Sequence, residues 1–294
     1  MNYKMMGKFI SQILFVEAAF MLPALLISVL ERNIPGIWGF ALSIVITAAV
    51  ASVLYVLCRH AVRRFYAREG LVCVGMSWIF LSLMGGLPFF LSREIPNYLD
   101  ALFEIVSGFT TTGASILSNV EGLSKGMLYW RSFSHWLGGM GVLVFLLAVG
   151  TKGDKGSGFT LHLLRAESPG PTVGKLVPKM RTTARILYMM YILLTILNII
   201  FLLFGGMSLF EAVCTAMGTA GTGGFGIKND SIAGYSPYIQ NVCTVFMLLF
   251  GVNFGCYYLL MIRHVKSVFE DEELRMYFAI VLGSIVLIVL NLRG

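Results

Sequence analysis

Seven apolar stretches, each of roughly 20 residues, fix the class of this chain before any motif is read, because about 20 helical residues cross the hydrocarbon core of a bilayer. They run over 9–31, 37–58, 71–91, 128–149, 184–206, 238–262 and 276–292. Inside hydrocarbon the backbone has no water to bond to, so such segments close their own hydrogen bonds as helices. With 57% hydrophobic and only 13% charged residues over 294 positions, the chain is an all-α polytopic membrane protein rather than a soluble globule. The first run carries Glu17 and Pro23 and lacks a small-residue cleavage site, which favours a retained helix over a signal peptide. Cys58, Cys73, Cys214, Cys243 and Cys256 form no CxxC pair and read as small packing residues.

The basic residues set an orientation. Arg59, Arg63, Arg64 and Arg68 fall in one loop, and Lys152, Lys155, Arg165, Lys175, Lys179 and Arg181 in the long loop 150–183. Placing the N-terminus (Lys4, Lys8) in the cytoplasm puts both loops inside, with Arg263, Lys266 and Arg275, and leaves Arg32, Arg93, Lys125, Arg131 and Lys228 outside. The net charge of +7 is then a consequence of topology, with anionic lipid as an added contact for the inner loops, and calls for no nucleic acid.

Two shorter apolar segments do not span. Leu99, Leu102, Phe103 and Val106 recur at helical spacing before "FTTTGAS" (109–115), and Leu209, Phe210 and Val213 do so before "GTAGTGGFG". Each predicts about ten helical residues, or half a membrane at ~1.5 Å per residue. Both carry "LFE" (102–104 and 209–211) and lie on the outer side, so the sequence predicts a repeat of span, half-helix, Gly-containing loop, span. Non-helical backbone at membrane depth is tolerated only when buried in protein or lining a water-filled cavity. An extended run such as Thr110, Thr111, Thr112 and Gly113 can aim successive carbonyl oxygens at an ion in place of its hydration shell, with the half-helix C-terminus adding partial negative charge. Asp100, Glu104, Glu121 and Asp230 are either outer cation collectors or ordinary interfacial carboxylates.

"SGFTTTGAS" (107–115), "HWLGGMGVLVF" (135–145), "LLRAESPGPTVGKLVPKMRTTARILYMMY" (163–191) and "GGFGIKND" (223–230) together resemble the Trk/Ktr/HKT superfamily of potassium transporters, nearest the bacterial Trk-type membrane subunit. The resemblance implies a pore of four potassium-channel-like helix–pore-loop–helix repeats, each giving one filter strand with a glycine. Here it implies two leading helices (1–69), a first repeat (70–165), a second (166–270) and the first helix of a third (271–294). The first strand is Thr110, Thr111, Thr112 and Gly113. For the second, "TGGF" offers both Gly223 and Gly224, and Ala220, Gly221, Thr222 and Gly223 are favoured. The family further implies potassium uptake across the cytoplasmic membrane, passive or loosely ion-coupled (symport), by homodimers that bind a cytoplasmic nucleotide-sensing regulatory subunit, for which loop 150–183 is the surface to consider. With two filter loops in the sequence, the expectation is the N-terminal part of a longer polypeptide, the alternatives being a non-conducting fragment or a secondary transporter with a broken-helix substrate site.

Other features have plainer readings. "GTAGTGGFG" lacks the preceding strand of a nucleotide-binding loop, and "TKGDKGSG" (151–158) lacks a GK[ST] ending. "GGMG" (138–141) fits close helix packing, with a flexible point in an inner helix as the second reading. His135 has no partner at metal-ligand spacing, Glu17 is expected to make a buried hydrogen bond rather than serve a proton relay, and Trp38, Trp78, Trp130 and Trp136 suit interfacial anchoring. No nucleophile–base constellation or paired intramembrane carboxylate supports an enzyme, and no cofactor is implied beyond potassium as the transported ion.

Overall fold

The structure is a computed structural model and describes residues 2–60, 67–141 and 180–293. Helices α1 (Tyr3–Phe20) and α2 (Leu22–Leu30) form one nearly continuous span, with Asn2 capping the first and Pro23 in the opening turn of the second. A turn with Arg32 at φ 57° leads to α3 (Ile34–Cys58), whose N-cap Asn33 accepts from the Gly36 N–H. Then come α4 (Ala67–Gly85) and α5 (Leu87–Leu91), the half-helix α6 (Tyr98–Phe109), and α7 (Lys125–Met140). The second half of the chain gives α8 (Met180–Phe204), the half-helix α9 (Leu209–Ala220), α10 (Pro237–Gly251), α11 (Phe254–Met261), α12 (Val265–Phe269) and α13 (Glu272–Arg293).

Most predicted spans appear where hydropathy placed them: Tyr3–Leu30, Ile34–Cys58, Gly70–Leu91, Ala184–Phe204 and Glu272–Leu292 are each long and apolar enough to cross a membrane. Two differ. The 128–149 stretch is helical only to Met140 among the described residues, and 142–149 lie outside them, as do loop 61–66 and most of the basic loop 150–183. The 238–262 stretch is not a straight helix: α10 and α11 meet at 87°. Asn253 starts α11 by accepting from the Gly255 N–H, and the carbonyls freed at the break are met by tyrosines, Tyr257 Oη on Leu249 O at 2.6 Å and Tyr277 Oη on Leu248 O at 3.0 Å. A break at membrane depth persists when its exposed backbone groups find partners of this kind. Asn253 Nδ2 also donates to Glu273 Oε2 at 2.8 Å, tying the break to α13.

The two larger apolar cores among the described residues lie one around each half-helix, with smaller clusters at Ile10, Leu14 and Ala51 and at Val252, Cys256 and Val268. The first gathers Phe9, Ile13, Phe40, Leu81, Ile105, Phe109 and Trp130, the second Tyr191, Leu202, Ala216, Phe246 and Phe250, and Trp136 packs against both. α7 is the strut between them, in contact with α2, α6 and α9. Close approach is secured by small residues, as expected where no hydrophobic effect drives helices together. Gly126 of α7 lies so near α2 that a β-carbon there would strike Ser28 Oγ and come within 3.0 Å of the Ala24 carbonyl. The tryptophans are not one belt. Trp38 is exposed, but Trp130 is fully buried with Nε1 donating to Gly85 O at 2.9 Å, and Trp136 Nε1 donates to Thr195 Oγ1 at 3.0 Å, because an indole N–H buried in the bundle needs an acceptor.

Gly126→Val should therefore wedge α2 from α7 and lower unfolding stability by about 1–3 kcal/mol. Thermal unfolding in detergent checks this, a melting temperature equal to the parent's being the contrary result.

Candidate functional site

The loop after α6 begins where the half-helix ends. Thr110 has φ −85° and ψ 3°, Thr111 turns left-handed at φ 53°, and Gly113 again at φ 74°. A threonine with positive φ is uncommon and needs support. The support is backbone hydrogen bonding: Thr110 N–H donates to Val106 O (2.9 Å), Thr111 N–H to Gly108 O (3.0 Å) and Thr112 N–H to Ser107 O (3.0 Å). Ser107 Oγ donates to Ala114 O at 2.5 Å, pinning the far end of the loop to the same helix. The segment is thus not the simple extended run the sequence predicts. Its amide groups at Thr110, Thr111 and Thr112 bond back onto α6.

The second loop repeats this backbone. Gly221 has φ −75° and ψ −4°, Thr222 is left-handed at φ 57° and Gly224 at φ 70°. Gly221 N–H donates to Met217 O (3.2 Å) and Thr222 N–H to Thr219 O (2.9 Å). The step along the chain that maps Tyr98 onto Leu209 and Phe109 onto Ala220 maps Thr111 onto Thr222 and Gly113 onto Gly224. The two "LFE" triplets do not follow it and are one helical turn out of step. The residue matching Glu211 is Asp100, both being acidic groups in the first turn of their helices, where they favour the positive end of the dipole. Glu211 completes a capping box with Ser208, whereas α6 is capped by Asn97.

The two loops lie against one another. A β-carbon on Gly113 would collide with the Gly223 carbonyl oxygen, and one on Gly223 would lie 2.5 Å from the Thr111 carbonyl oxygen. Behind them runs α7. A β-carbon on Gly138 would strike the Phe109 carbonyl, and one on Gly139 would sit 2.6 Å from Tyr191 Oη, 3.0 Å from Gly221 Cα and 3.1 Å from Ala220 O. "GGMG" is therefore a packing motif at Gly138 and Gly139, while Gly141, at φ 77°, ends the helix. Thr110 and Thr112, and in the second loop Thr222 and Gly224, stay exposed.

A buried charge pair joins the loops beyond the glycines. Arg131 Nε lies 2.6 Å from Glu104 Oε1, with the two side chains 3% and 0% exposed. Glu104 also accepts from Ser115 Oγ (2.9 Å) and from Ile116 N–H (3.1 Å), holding the exit of the first loop. Arg131 reaches the second loop, donating through Nη1 to Gly226 O (2.5 Å) with Cζ 3.4 Å above the Phe225 ring. Further out, Asn229 Oδ1 accepts from Val120 N–H (2.7 Å), and Asn229 N–H donates to Glu121 Oε1 (3.1 Å).

Several sequence expectations change here. Glu104 is no surface cation collector, because its charge is sunk in the Arg131 pair. The available signal was one acid and one base inside apolar segments, where lone charges are costly and pair with each other. Glu17 is buried as expected, yet neither carboxylate oxygen makes a hydrogen bond among the described residues, and Gly85 leaves the space beside it. His135 is fully buried, stacked on Phe225 with centroids 5.1 Å apart.

The sequence profile of the TrkH cation transport protein family matches residues 38–293. The Trk system potassium uptake protein TrkH of Salmonella typhimurium is 33% identical over 99% of this chain and 60% of its own length, and TrkG of Escherichia coli K12 is 32% identical over 90% of this chain and 55% of its own. The crystal structure of the potassium transporter TrkH from Vibrio parahaemolyticus superposes with a TM-score of 0.84 at 27% identity, covering 100% of this chain and 60% of that one. The chain thus spans about 60% of the length of the TrkH relatives it matches. By profile, relatives and helical architecture, this integral membrane protein belongs to the TrkH family of cation transport proteins.

Proposed function

We propose that the chain contributes two adjacent filter strands of a potassium uptake pore in the cytoplasmic membrane, with its N-terminus in the cytoplasm. What supports this most is the repeated backbone of the two loops: amides bonded back to a half-helix, left-handed turns at Thr111 and Gly113 and again at Thr222 and Gly224. Carbonyl oxygens on the free edge replace water around a dehydrated ion, and release stays fast when several shallow sites share the ion. The first strand is Thr110–Gly113. For the second, the match in φ favours Gly221–Gly224 over Ala220–Gly223, since Gly224 (φ 70°) shares the positive φ of Gly113 (φ 74°).

The ends of both half-helices, at Phe109 and Ala220, direct partial negative charge toward the strands and favour a cation. Two strands enclose half an ion, so the reading places the remaining strands in further repeats, by analogy with the relatives' longer chains. The domain division at 69, 165 and 270 belongs to the same reading, as do a homodimer in the lipid bilayer and a cytoplasmic nucleotide-binding regulatory subunit docking on loop 150–183. The Glu104–Arg131 pair serves this pore by fixing the two strand exits relative to each other.

Expressed from its native gene in cells lacking their own potassium systems, the protein should support rubidium uptake. Gly113→Ser and Gly224→Ser should each lower discrimination of potassium over sodium, the first through collision with the Gly223 carbonyl and the second through strain at positive φ. Unchanged relative uptake of the two ions in both variants contradicts the reading. Arg131→Gln, which strands the Glu104 charge, should cost about 3–5 kcal/mol of stability; a detergent melting curve that overlays the parent's would remove the pair from this role.

A further inference from the structure

The imidazole of His135 meets the second strand where no side chain fits. Its Nε2 lies 2.7 Å from the place a β-carbon would take on Gly221 and 2.6 Å from that on Gly223, while its Cδ2 and Cε1 press on the same two positions. The backbone carbonyl of His135 stands 2.9 Å from the Gly221 position. One face of the ring is stacked near-parallel on Phe225, at 5.1 Å and 25°. Phe225 in turn carries the Arg131 guanidinium, and Arg131 is held by Glu104 of the first repeat. On the other side, Gly223 has the Thr111 carbonyl oxygen 2.5 Å from its missing β-carbon, and its own carbonyl lies against Gly113. Gly223 is therefore clamped between the ring and the first strand. Neither ring nitrogen completes a hydrogen bond among the described residues, so the ring is held by shape rather than by a directed bond.

We propose that His135 is a positioning residue for ion discrimination, a flat wedge that holds Gly221 and Gly223 against the first strand and so fixes the spacing of the carbonyl oxygens on both. The proposal rests on the filter reading above and adds to it the element that sets the distance between the strands. A flat ring suits the place because it fills the width of two glycines while presenting only its edge. Removing it lets the strand relax backward, and a wider cage favours no particular ion radius. Close packing transmits such a shift, since a packed interior has no slack to absorb it.

The test compares potassium and sodium uptake in His135→Ala, His135→Phe and Gly113→Ser, all expressed from the native gene and normalised to protein in the membrane. His135→Ala is expected to lower the potassium-to-sodium ratio by roughly ten-fold, equivalent to about 1.4 kcal/mol of differential binding. His135→Phe, which keeps a flat ring, should recover most of it. A merely structural role would lower the uptake of both ions together and leave the ratio unmoved, which overturns the proposal. Should His135→Ala not accumulate, Phe225→Leu decides it by withdrawing the stacking partner: a reduced ratio supports the wedge and a parental ratio overturns it. If Gly113→Ser loses discrimination while the His135 and Phe225 variants keep it, the wedge fails and the filter reading stands. If Gly113→Ser also keeps it, the filter reading fails and the wedge falls with it.

Discussion

The structure depends on where amide hydrogens go when a chain leaves the helical conformation inside a membrane. Hydrocarbon offers no acceptor, so an unwound segment survives only if its N–H groups are answered by protein. At 110–112 and at 221–222 the answer is the last turn of the preceding half-helix. The left-handed threonines, Thr111 at φ 53° and Thr222 at φ 57°, are the strain that accompanies this way of satisfying the donors.

That local solution is fixed in space by α7. Its glycines let the backbone of both loops lie directly on the helix, and two of its polar residues one turn apart, Arg131 and His135, contact the second loop at Gly226, Phe225 and the glycines. Glu104 brings the first loop into the same arrangement through Ser115 and Ile116. A buried ion pair is weak evidence for stability, since desolvation offsets its attraction. Its value here lies in geometry, because a single guanidinium spans from one repeat to the other.

The spans were legible because apolar length maps directly onto membrane thickness, and the half-helices because theirs falls short. The register between the two loops was harder to read. The "LFE" repeat is visible in the letters but lies one turn away from the backbone repeat, since the matching positions are set by N-caps of different type, Asn97 and Ser208, and not by similar side chains. Gly223 and Gly224 look equivalent in sequence, and they are separated by the positive φ of Gly224 and by the packing of Gly223 against His135 and the Thr111 carbonyl. The bend after Gly251 was missed because apolar runs show length but not continuity: of the two tyrosines that answer the broken carbonyls, Tyr257 lies within the same apolar stretch and Tyr277 in a later helix, and neither marks a break by its residue type. Glu104 and Arg131 were each visible, yet their pairing depends on the rotation of α6 against α7, which periodicity alone leaves undetermined.

Ion occupancy tests the central claim most directly. Anomalous scattering from the native protein crystallised in rubidium should place ion density on the carbonyl edge of 110–113 and 221–224. Rubidium bound elsewhere with those edges unoccupied, or either segment wound into continuous helix, would contradict the account.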